Sequence, residues 1–87
     1  MAHFAEVIDN TVNNVIVISN DDCDNLPFPE SEPYGQAFIA SLGLSGVWLQ
    51  TSYNANFRGY YAGIGYTFDA SLGEYGEFVP PPSVPVE

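Results

Sequence analysis

Apolar residues recur along this chain mostly with the period of two that sends alternate side chains to opposite faces of a strand. Residues 3–9 read as a strand, with Phe4, Val7 and Ile8 as its apolar positions. Asp9, Asn10 and Thr11 read as a turn, because Asp and Asn bond their own backbone and tolerate positive φ. Residues 12–19 form a second strand, and the two make an antiparallel hairpin. Val15, Ile16, Val17 and Ile18 are β-branched and apolar on both faces, which predicts a central strand.

Residues 20–29 are polar and broken by Pro27 and Pro29, so they read as a loop. The one helical period follows. Ser31 is placed to cap its start, with Glu32 and Pro33 in the first turn. Tyr34, Phe38 and Leu42 recur every four residues, Ile39 lies beside them, and Gly43 suits the C-terminal end. Residues 46–53 alternate as a third strand. Asn54, Ala55 and Asn56 link it to residues 60–69, the clearest alternation in the chain.

One face of that segment carries Tyr60, Ala62, Ile64, Tyr66 and Phe68, and the other carries Gly63 and Gly65. Two glycines on a strand face leave a shallow trough, which Trp48 is expected to fill. Residues 75–79 add a short last strand, and residues 80–87 are rich in proline and therefore extended. The expected fold is α+β: a small antiparallel sheet of four to five strands with one helix packed on it. Residues 1–79 form the domain and residues 80–87 an extended Pro-rich C-terminal tail.

Charge narrows the range of partners. Across 87 residues there are 11 acids and one base, Arg58, for a net charge of −10. Such a chain repels phosphate backbones and anionic headgroups, so neither nucleic acid nor a membrane surface is an expected partner. No apolar run approaches the roughly 20 residues of a membrane span. The opening residues lack a signal-peptide pattern, which with a single cysteine points to cytoplasmic synthesis. Aromatic residues make up 15% of the chain, far too many for a disordered acidic tail. Cys23 is alone, so assembly rather than a disulfide is the expected support for so small a core.

Catalytic chemistry has little to build on. His3 is the only histidine, and Cys23 lies among Asp21, Asp22 and Asp24, which disfavour its thiolate. No catalytic residue, cofactor or metal ligand is assigned, and the chain is expected not to be an enzyme. Asn20, Asp22 and Asp24 have the first spacings of an EF-hand loop, but Asn25 replaces the glycine and Ser31 the closing Glu. A solvated acidic loop is the favoured reading, and whether it takes a cation is left open.

Arg58 is expected to find an internal carboxylate, with Asp69 as a candidate, or alternatively a carbonyl-rich or acidic partner. The crowd of aromatics from residue 53 onward exceeds what a small sheet can hide, and tyrosine suits interfaces. Tyr53, Phe57, Arg58, Tyr60, Tyr61 and Tyr75, with Pro80, Pro81 and Pro82 as a stiff arm, are therefore the candidate protein-contact residues.

Several stretches also resemble a known family. They are Met1-Ala2-His3-Phe4-Ala5, residues 15–23 (VIVISNDDC), Trp48-Leu49-Gln50-Thr51-Ser52-Tyr53-Asn54, Asn56-Phe57-Arg58, and residues 61–69 (YAGIGYTFD). Together they resemble small proteins encoded by tailed bacteriophages of aquatic bacteria, notably cyanophages. The stretch 48–69 is the specific part. Ala55 stands where that family commonly has Gly, so the turn there is expected to differ.

The resemblance implies a non-enzymatic virion component, made in the host cytoplasm. The expectation is a capsid decoration or cement protein that binds the major capsid protein or other virion proteins through a sheet edge or the tail. A homo-oligomer, trimer or dimer, is expected with it. The alternatives are a tail, baseplate or fibre-associated subunit, and an acidic inhibitor of a host protein.

Overall fold

The computed structural model describes residues 1–82. It has five strands and one α-helix: β1 (Ala2–Ile8), β2 (Thr11–Ile18), α1 (Ser31–Ser41), β3 (Val47–Thr51), β4 (Thr67–Asp69) and β5 (Glu77–Val79). The strands form one antiparallel sheet in the order β3-β1-β2-β4-β5. The α+β expectation holds. Residues 80–82 carry no regular structure, and the expected continuation of the tail at 83–87 lies outside the described residues.

The β1–β2 turn follows directly from its sequence. Ile8 pairs with Thr11, so Asp9 and Asn10 are the two loop residues, at φ of 51° and 63°. Positive φ at both positions is what a tight hairpin of twisted strands requires, and Asp and Asn tolerate it. A register shift between Glu6 and Val7 inserts one extra residue in β2.

The sheet buries both faces. On one side Ala2, Phe4, Ile18 and Trp48 pack against Ile39 of α1 and against Cys23. On the other, Ala5, Val7 and Val12 are covered by Ala62 and Phe78, with Tyr66 and Phe68 beside them. Trp48 therefore lies on the helix side, and not over the glycines at 63 and 65. A Cβ on Gly63 would instead meet the Tyr66 ring at 3.0 Å.

The helix presents a different face from the expected stripe. Ser31, Gly35 and Ile39 are buried, whereas Tyr34 and Leu42 are 50% and 56% exposed. The cause is Phe4, which rises from β1 directly beneath the helix. A Cβ at Gly35 would sit 2.2 Å from its ring, so the helix approaches through its smallest residues. Ser31 is not the cap. It is the first helical residue, and its hydroxyl donates to Gln50 Oε1 at 2.6 Å. Gly43 does follow the helix at φ +86°, its N–H donating to Ala40 O at 3.0 Å.

The expected strand over 60–69 shrinks to Thr67–Asp69. Gly65 turns at φ +92°, and residues 61–64 cross the sheet face before Gly65 and Tyr66 bond the backbone of Val12. Ala62 N donates to Thr51 Oγ1 on β3 at 2.9 Å, and Gly65 N donates to Val12 O on β2 at 2.9 Å. The alternation of apolar residues is real, but it serves a strap whose inward positions are Ala62 and Tyr66 while Ile64 is 73% exposed. Residues 20–29 include a 3-10 turn over Asn20–Cys23, whose start Ser19 caps by accepting from Asp21 N.

Candidate interaction surface

Two aromatic groups and one ion pair organise the end of the molecule where β3 leaves the sheet. The ion pair joins Arg58 to Glu32 in the first turn of α1. The Arg58 guanidinium contacts both Glu32 carboxylate oxygens and also donates to Gln50 O at 3.0 Å and, through Nε, to Tyr75 O at 3.1 Å. Glu32 Oε2 additionally accepts from Gln50 N at 2.7 Å. The Arg58 Cζ lies 5.1 Å from the Phe28 ring centroid and 5.5 Å from that of Phe68, within cation–π range.

The pairing corrects two expectations. The carboxylate is Glu32 and not Asp69, which is exposed and accepts from the Ser71 hydroxyl and amide. Those hydrogen bonds, the hydroxyl's first, hold the Asp69 carboxyl below its ordinary value. Arg58 also turns inward, with only 7% of its side chain exposed, so its guanidinium does not face outward to a partner. Its backbone sits at φ +58°.

The edges of the sheet near this clasp are occupied. Gln50 opposes Phe4 across the β1–β3 ladder, and its outward N–H and C=O are taken by Glu32 and Arg58. Two residues earlier, Trp48 O accepts from Gln36 Nε2 at 2.7 Å. On β5, Phe78 N donates to Arg58 O at 3.0 Å, and Gly59 bridges the same strand. Strand addition at β3 or β5, one of the expected routes to a shell, would have to displace these groups.

Four of the expected contact residues fall into two aromatic groups. Tyr53 stacks on His3 at 5.6 Å between ring centroids, and Tyr61 meets both rings edge-on. Phe57 stacks on Phe28 at 3.8 Å, and Tyr75 packs edge-on to the same ring. Between the groups lies a recess of about 330 Å³ lined by Met1, His3, Gln50, Tyr53, Asn54 and Phe57 among others. Tyr53 and Tyr60 are 67% and 59% exposed, and Tyr75 is 39% exposed. Phe57, Tyr61 and Pro80 are half-buried, while Pro81 and Pro82 are exposed.

His3, Phe28 and Glu32 complete these groups and were not singled out in advance. His3 gave no signal beyond its position near Phe4. Glu32 looked like an ordinary first-turn acid. Burial, and then the positive charge of the amino terminus, push the His3 pKa down. Burial first and Asp22 second push the Cys23 thiol up, and its side chain is packed in the core. Among the described residues, no three His, Cys, Asp or Glu side chains converge to hold a metal ion, and no helix is long and apolar enough to cross a membrane.

No protein-family model, curated protein or solved structure matches this chain.

Proposed function

We propose that this chain is a non-enzymatic structural protein of a virus particle, seated on the outer shell as a decoration or cement protein. The observation that carries the reading is the rim of the recess. Tyr53 is two-thirds exposed yet held in place by His3 and Tyr61. A rigid aromatic that loses little freedom on docking is a typical anchor of a protein interface. Asn54 and Asn56 beside it, both exposed, supply amide groups for a polar rim.

Charge supports the same reading. The only Lys or Arg side chain is consumed internally, so the outward side-chain charges are acids. Such a surface suits contact with a basic or polar protein face and opposes adventitious binding to packaged nucleic acid. The resemblance of residues 48–69 to phage-encoded proteins supplies the viral context.

Quantitative composition of purified particles, joined to rebinding of purified protein to shells stripped of it, tests the proposal. High copy number and loss of rebinding in Tyr53→Ala, with the variant's fold retained, are expected. Absence from the particle sinks the reading. A low copy number placed at the tail would move the protein to a tail or baseplate position.

A further inference from the structure

The sheet has a third edge, and among the described residues no other element covers it. β4 pairs with β2 only at Thr11, and the last backbone bonds on that side are Val12 N to Tyr66 O and Gly65 N to Val12 O. From Asn13 to Ser19 no strand lies beside β2 on its outer side among the described residues. β2 is central at its start and an edge for the rest, which the β-branched run at 15–18 did not reveal.

The direction of its free groups follows from the ladder. Gln50 directs its N–H and C=O away from β1, so its partner Phe4 directs its own toward β2, where it faces Ile16. Ile16 therefore bonds inward, and Val15 and Val17 present their backbone outward. Val15 N is held only by the side-chain oxygen of its neighbour Asn14 at 2.9 Å. Val17 is 46% exposed.

Natural proteins blunt such edges with charge, proline or a covering element. Here β3 is covered by Glu32, Arg58 and Gln36, and β5 by the backbone of Arg58. Residues 13–19 (NNVIVIS) contain no charged residue and no proline in a chain that is otherwise strongly acidic.

We infer that this edge is the seat of a second copy of the same chain, paired antiparallel across a two-fold axis at Ile16. The occupant follows from the symmetry of the free segment. It begins after Val12, where Tyr66 and Gly65 block the edge, and ends before Asn20, where the chain bends into its 3-10 turn. Its midpoint is Ile16.

With Ile16 opposite its own copy, Val15 faces Val17 of the second copy and Val17 faces Val15. Both are outward-bonding residues, so the register forms hydrogen-bonded pairs at both positions. A second copy's Ser19 opposes Asn13, and its Asn20 turns away where Tyr66 would otherwise obstruct it. An interface that matches itself in this way is isologous and closes as a dimer. The paired segments bring no like charges together, and screening of the remaining acids predicts tighter association at higher salt.

The inference is independent of the shell reading, since it concerns the free protein. Sedimentation equilibrium and native mass spectrometry of the full chain are expected to give a two-chain mass that is concentration-dependent. Amide exchange at Val17 is expected to slow as the dimer fills. Val17→Pro removes a donor from each copy and is expected to weaken association at least roughly thirtyfold, at about one net hydrogen bond each. Val17→Glu is expected to give monomers of unchanged circular dichroism.

A one-chain or three-chain mass of the unmodified protein overturns the proposal. So does a two-chain mass that survives both substitutions. If both variants fail to fold, the unmodified protein decides: a two-chain mass with Val17 exchanging freely also overturns it.

Discussion

Ala55 holds φ at +56°, a left-handed conformation that costs an L-residue about 1–2 kcal/mol and costs glycine no side-chain clash. Glycine gives back part of that through its larger unfolded-state entropy. Ala55→Gly is therefore expected to raise stability by about 0.5–1 kcal/mol, read as an upward shift in Tm. His3 is a second position whose environment sets its behaviour. Its folded pKa lies below the ordinary 6.5 because of burial and the amino-terminal charge. The unfolded chain therefore binds the proton more readily, and this position destabilises the fold as pH falls through about 6.5. Denaturation midpoints are expected to drop from pH 7.5 to about 5.5, and His3→Gln is expected to flatten that slope.

Elements meet at the Arg58–Glu32 pair. Glu32 fixes the first turn of α1 to the outer edge of β3, and Arg58 ties both to the carbonyl of Tyr75 before β5. Glu32→Gln removes the counter-charge from a nearly buried guanidinium and is expected to cost about 3 kcal/mol, the lower end for breaking such a pair. Urea unfolding measures it, and Asp69→Asn is expected to leave the midpoint near wild type. This joint was half legible. A lone cation among acids had to find a carboxylate, but the partner lies 26 residues away on another element, and no local pattern reports that. The hairpin, by contrast, could be read from Asp9-Asn10 because its geometry is set by adjacent residues. Alternation at 60–69 misled for a physical reason: the turn at Gly65 breaks the period, so Ala62 and Tyr66 face inward while Ile64 between them is left outside. The helix face misled because its register was set by Phe4 and not by the helix's own apolar stripe.

At the scale of the whole molecule, the fold closes two of its sheet edges with side chains and backbone from elsewhere, and among the described residues no other element covers the third. Aromatic crowding after residue 53 was visible in the sequence, and the structure divides most of it among the His3 group, the Phe28 group and the core around Phe78. Which tyrosines would be exposed was not visible, because that depends on where the strap crosses the sheet. The arginine clasp has a last, practical consequence. The chain contains no lysine and one arginine, so trypsin can cut it at a single bond, Arg58–Gly59. The flanking groups of that bond are engaged with β5, through Arg58 O and the Gly59 bridge, while the specificity-bearing side chain is folded inward. Native protein is expected to resist trypsin, and each cleavage should yield two fragments and no others. When reclosing outruns cutting, the rate follows the fraction of molecules in which the clasp is open. A gel band ratio thus becomes a gauge of stability at one chosen point, and Glu32→Gln is expected to raise the cutting rate exponentially with the stability it removes, roughly a hundredfold for about 3 kcal/mol.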